Sequence, residues 1–202
     1  MSKILFITHT LLFGLFSFYS NAQVKKERFN GNFNELSQVN KKLITSFNIK
    51  WTDTTFNYKS DTANFQYQLI NANNVKEIAK FYDTTIIFIF QPWCEASETQ
   101  FAEIVKIQKY LTNKTKLLFV ADSYYVDHIY DLGDRYNIKN PFYVIDYNYG
   151  SSDRINRVKF IQEFTNFGKI KIWINNIMII DSNSKVIDLT DTNKLKIKLI
   201  KS

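Results

Sequence analysis

The chain has 202 residues, 45% hydrophobic and 16% aromatic, enough to bury a full core and unlike a disordered chain. With only 5 glycines and 2 prolines, a β-propeller or another turn-dense all-β fold is disfavoured. The formal net charge is +7, but the charges are scattered and only the stretch from Lys194 to Lys201 concentrates them, which argues against a nucleic-acid-binding surface.

Residues 1–22 have the pattern of a secretory signal. Lys3 precedes an apolar stretch from Ile4 to Phe18, and Ser20-Asn21-Ala22 places small residues at the expected cleavage positions. The stretch is shorter than the ~20 residues a membrane-spanning helix needs, although a retained anchor is the alternative. No cysteine follows it, which argues against lipidation. The mature chain is therefore expected to begin near Gln23 and to be exported, periplasmic or secreted, with no integral membrane segment after cleavage.

Residues 23–64 read as a polar N-terminal extension, with a short helix predicted from Asn34 to Phe47 on the spacing of Leu36, Val39, Leu43 and Phe47. The principal domain is placed at residues 65–202. Phe65 to Ile70 alternates as a strand does, and Asn74 is expected to cap a helix running through Tyr82. Thr84 to Phe90 is a continuous apolar run, the pattern of a strand buried on both faces.

An amphipathic helix is predicted from Glu95 to Leu111, a second buried strand from Leu117 to Ala121, and a helix from Tyr125 to Tyr136. An extended segment follows at Pro141 to Tyr147, then a helix at Arg154 to Phe164. Ile177 to Asp181 and Val186 to Leu189, joined through Ser182-Asn183-Ser184, form a predicted β-hairpin. From Thr192 onward the pattern fits either a strand or a short helix. This order predicts an α/β fold in three layers: a mixed central sheet, parallel at its centre and antiparallel at the terminal hairpin, with helices on both faces.

The single cysteine, Cys94, falls where the buried strand gives way to a helix, in Gln91-Pro92-Trp93-Cys94-Glu95-Ala96-Ser97. Unpaired N–H groups and the positive dipole end at a helix start favour a thiolate. With one cysteine in an exported chain there is no internal disulfide framework.

The strand leading into Trp93-Cys94-Glu95-Ala96-Ser97, the helix after it and the terminal hairpin resemble the thioredoxin-like superfamily. Within it, the chain looks most like exported thiol–disulfide proteins of the cytochrome-maturation reductase type. In that family two cysteines act in turn: the first attacks a disulfide and the second resolves the adduct. Cys94 matches the first, while Ser97 stands in place of the second, so the two-cysteine cycle is unavailable within one chain. Asn175 stands where the family places a cis-proline, and Phe88 where some members bury an acid.

The resemblance implies that Cys94 is the reactive group, with Ser97 supporting its thiolate and Trp93 and the Ile174-Asn175 loop contacting substrate; Glu95, adjacent in sequence, opposes the thiolate if its carboxylate lies close to the sulfur. Trp93 also reads as a packing residue at the rim of the site. The substrate would be a protein or small-thiol disulfide. The competing reading, from a different class, is a catalytically inactive module that holds a protein partner in the cell envelope. No cofactor is expected. One cysteine and one mature-chain histidine, His128, cannot assemble a zinc site, and His128 reads as solvent-facing.

Overall fold

In the apolar run that leads to Cys94, alternate side chains enter two different cores. Ile86, Phe88 and Phe90 join one cluster of buried residues, whereas Ile87 and Ile89 join another. A strand alternates its side chains between faces, so an all-apolar run requires a sheet covered on both sides. The computed structural model describes residues 44–45, 67–138, 142–150, 152–165, 176–191 and 194–195.

The strands are β1 (Ile44–Thr45), β2 (Tyr67–Ile70), β3 (Thr84–Phe90), β4 (Thr115–Ala121), β5 (Phe142–Ile145), β6 (Ile177–Asp181) and β7 (Val186–Thr190). The helices are α1 (Ala72–Ala79), α2 (Glu95–Ile107), α3 (Val126–Arg135) and α4 (Asp153–Gln162). The sheet order is β1-β2-β5-β4-β3-β6-β7. β3 runs parallel to β4 and antiparallel to β6, so the strand that leads to Cys94 lies inside the sheet.

Among the described residues, two helices cover each face. On one, Phe101, Ile104 and Ile107 of α2 and Val126, Ile129 and Leu132 of α3 pack on Phe88, Phe119 and Phe142. On the other, Val75, Ile78 and Ala79 of α1 meet Phe160 and Ile161 of α4 over Ile87, Leu118 and Tyr143. The first core is rich in aromatic pairs: Phe101 lies with its centroid 5.1 Å from Phe90 and 5.0 Å from Phe119. Such pairs add roughly 0.5–1.5 kcal/mol each beyond area burial. The arrangement is the thioredoxin-like α/β fold, three layers with a mixed sheet, as the sequence predicts.

Several boundaries differ from expectation. Ile44–Thr45, inside the predicted helix 34–47, form a strand paired in parallel with Tyr67 and Gln68; the rest of that helix lies outside the described residues. Both are β-branched residues, and pairing to a sheet edge outweighs a weak helical spacing.

Asn71, not Asn74, caps α1. The two asparagines form a reciprocal capping box, each side chain accepting the other's backbone N–H at 3.0 Å. α2 stops at Ile107, and Gln108–Tyr110 tightens into a 3₁₀ turn. α3 ends where Asn137 takes φ 49° and Ile138 N–H donates to Gly133 O at 2.9 Å, a left-handed helix stop that asparagine tolerates. In the tail, Lys194 and Leu195 are helical, with the Lys194 N–H donating to Asp191 Oδ1 at 3.0 Å.

Candidate functional site

β3 ends at Phe90, and four residues later Cys94 is the N-cap of α2, with extended backbone at φ −97° and ψ 119°. The turn between them is built around Gln91. The Gln91 carbonyl accepts the Cys94 N–H at 3.1 Å, and the Gln91 N–H donates to Ser97 Oγ at 2.9 Å. Pro92 is buried and Trp93 is exposed, so the turn anchors on the proline and presents the indole.

Cys94 is half-buried, carries a free thiol and makes no side-chain capping bond to its helix. Its carbonyl accepts the Glu98 N–H at 3.0 Å, the first bond of α2. A side chain with that backbone role sits beside the unpaired N–H groups of the first turn, where negative charge is stabilised. Acidic Glu95 and Glu98 share that turn; Glu98 pairs with Arg135 of α3, while Glu95 is exposed.

Ser97 is 8% exposed, and its hydroxyl oxygen engages the Gln91 backbone. Trp93 is 49% exposed and its ring lies 6.1 Å from Tyr125, which in turn lies 5.9 Å from His128. The start of α3 thus forms the second wall of the rim beside Cys94, and His128 is exposed there.

Ile174 and Asn175 lie outside the described residues. The next residue, Asn176, is buried. Its carbonyl accepts the Ile89 N–H at 2.8 Å and its side-chain amide donates to Gln100 on α2. Phe88, six residues before Cys94, is fully buried in the aromatic core.

One ionisable group near this turn escapes sequence reasoning. Asp122, the residue after β4, is 2% exposed and accepts from Arg157 Nη1 of α4 at 3.3 Å, and its backbone N–H donates to Phe90 O at 3.0 Å. Burial pushes its carboxyl up to about 7, against the opposing pull of Arg157. The available signal was local: Asp122 is the first charged residue after the apolar run of β4. Among the described residues, no group of three or more His, Cys, Asp or Glu is placed to hold a metal ion, and no helix is long and apolar enough to cross a membrane.

Fold and site together define a thioredoxin-like α/β protein whose single cysteine heads a Cys-x-x-Ser turn. Among solved structures the chain is similar to a secreted Mycobacterium tuberculosis disulfide oxidoreductase homologous to E. coli DsbE, at 10% identity and TM-score 0.41, covering 61% of this chain and 86% of that one. It is also similar to a thiol:disulfide interchange protein of the thioredoxin family from Chlorobium tepidum TLS, at 11% identity and TM-score 0.43, covering 62% and 82%. No family model matches the chain, and no curated protein matches it by sequence.

Proposed function

We propose that the protein is an exported monothiol that exchanges with disulfides and holds the product as a mixed disulfide. The observation that carries this reading is Cys94 itself: a free, partly accessible thiol at the N-cap of α2, with no side-chain hydrogen bond to its helix. The Cys94 thiolate attacks one sulfur of a disulfide R–S–S–R′, forming Cys94–S–S–R and releasing R′–S⁻. An external thiolate R″–S⁻ then attacks the R sulfur of the adduct, forming R–S–S–R″ and releasing the Cys94 thiolate. Because Ser97 has no sulfur to offer, the adduct persists until that second thiol arrives. Trp93 and Tyr125 form the wall against which the substrate chain lies. The pattern of residues 1–22 supports export, to the periplasm or outside the cell.

The test is to incubate the mature protein with glutathione disulfide and with a peptide disulfide, then follow intact mass. A stoichiometric adduct at Cys94, removed by added glutathione and absent in Cys94→Ser, is the expected result. Failure of both disulfides to form an adduct, with the fold intact, removes the proposal.

A second reading has its own observation, the exposed Trp93 ring beside Tyr125, which suits a peptide-binding rim with or without chemistry. On that reading the protein holds an envelope partner and Cys94→Ser retains full affinity for it. Loss of affinity in that variant decides for the thiol.

A further inference from the structure

The rim beside Cys94 is acidic in a chain whose formal net charge is +7. On α3, Asp127, Asp131 and Asp134 fall at positions i, i+4 and i+7, so they line one face of the helix. Asp131 and Asp134 are exposed and Asp127 is half-buried. Among the described residues none of the three carboxylates is in an ion pair. Like charges four apart on a helix repel, and a carboxylate in the last turn opposes the helix dipole. The stripe therefore weakens the helix that bears it, and stability alone gives no reason for it.

Both ends of α3 meet the Cys94 turn. At its start the Tyr125 ring lies 6.1 Å from Trp93, and at its end Arg135 bonds Glu98 in the first turn of α2. Residues four apart share a side of a helix, so Asp131 stands on the side from which Arg135 reaches α2, and Asp127 follows it one turn back. Arg135 is committed to Glu98, and His128 stands on the rim beside Tyr125. Glu95, next to Cys94 in the first turn of α2, is exposed and outside any ion pair among the described residues. Trp93, half exposed at the same rim, adds an aromatic face, which attracts a cation as a carboxylate does.

We propose that this rim selects cationic disulfides, in which lysine or arginine flanks the substrate's cysteine. The positive group meets Glu95, Asp127 and Asp131, and its apolar stem lies along Trp93. This deepens the function above and rests on Cys94 being the reacting group. The bonds made and broken are those of the exchange step; the carboxylates touch no reacting atom and set specificity through charge. An anionic disulfide meets the same field with the opposite sign and forms its adduct more slowly.

The experiment compares two methanethiosulfonates of similar size, one bearing a trimethylammonium-ethyl group and one a sulfonate-ethyl group. Each transfers its charged thiol to Cys94 as a mixed disulfide and releases methanesulfinate. Rates at pH 8, above the ordinary imidazole range, are divided by those of 2-mercaptoethanol with the same probe, which removes the difference in intrinsic reactivity. The corrected ratio should favour the cation by about ten-fold in low salt and approach one at roughly 0.5 M salt. It should fall about three-fold in the double variant Asp127→Asn, Asp131→Asn, and further when Glu95→Gln is added. A change in the thiolate itself would alter both rates together and leave the ratio where it was. A wild-type ratio near one, or a ratio unmoved by these surface substitutions, overturns the proposal. A cation preference with no adduct from any disulfide supports the selection by charge while the exchange function fails. Disulfide adducts formed with equal probe rates remove the selection and leave the exchange, and a thiol that reacts with neither probe overturns both.

Discussion

Ser97 Oγ accepts the backbone N–H of Gln91 at 2.9 Å, so the serine standing in the second half of Cys-x-x-Ser closes the turn beneath Cys94. A hydroxyl does there what a thiol does poorly, since sulfur is a weak hydrogen-bond acceptor. On the proposed function the same residue leaves Cys94 without a resolving thiol, and the two effects can be separated by substitution.

Ser97→Ala removes the acceptor and leaves the Gln91 N–H unpaired in a partly buried turn. The expected loss is about 1–2 kcal/mol, read as a lower urea midpoint at unchanged slope. An unchanged midpoint would show that water replaces the serine without cost.

Ser97→Cys should create a dithiol. Positions 94 and 97 are the N-cap and third residue of α2, one turn apart, a separation within disulfide range. Mild oxidation should yield an intramolecular disulfide, seen as the loss of two hydrogens by mass, and the reduced variant should cleave insulin where the wild type stalls as an adduct. Two thiols that stay free under oxidant would refute the prediction.

Stability should depend on pH through Asp122. Its carboxyl titrates at about 7 in the folded chain against an ordinary 3.8. Between those values the folded chain keeps a proton that the unfolded chain has lost, so stability falls as pH rises through the window and is highest, for this group, below about pH 4. The loss amounts to a few kcal/mol at most, on the order of 1.4 kcal/mol per pH unit. Urea unfolding at about pH 4.5, 6 and 7.5 should show a shallower slope in Asp122→Asn than in the wild type.

Trp93→Ala should leave stability within about 0.5 kcal/mol, since the side chain is half exposed and its ring lies tilted beside Tyr125. Adduct formation with a peptide disulfide should slow, while that with glutathione disulfide changes little, because only the peptide is long enough to lie on the rim. Equal slowing of both would place the effect on Cys94 rather than on substrate contact.

Phe101→Ala tests the core behind the site. Phe101 is fully buried and packs against Phe88, Phe90, Phe119, Tyr136 and Phe142. Its loss should cost about 3–5 kcal/mol, measured by denaturant midpoint. A cost under 1 kcal/mol would mean that this aromatic cluster collapses around the gap.

Much of the frame is legible in the sequence. The predicted strand Thr84–Phe90 is apolar on both faces from Ile86 to Phe90 because both sheet faces are covered, and its bounds match the observed strand. The hairpin was legible because Ser182-Asn183-Ser184 interrupts two apolar runs; Ser184 takes φ 64° in the turn and Asp181 Oδ1 accepts the N–H groups of Asn183 and Lys185. The cap of α1 was misplaced by three residues because an Asn-x-x-Asn box offers two capping residues, and only the backbone angles say which one lies outside the helix.

The sequence by itself determined what lies along one stretch of chain: the buried strand, the helix after it, and a lone thiol between them with a serine three residues on. Periodicity and helix-end chemistry are local, so they can be read from neighbouring letters. Only the tertiary structure decided what stands beside that thiol. Tyr125 reaches Trp93 from α3, and Arg157 reaches Asp122 across 35 positions of sequence. Those meetings depend on strand order in the sheet, where β4 lies next to β3 and α4 crosses behind it, and long-range pairing leaves no periodic trace in the chain.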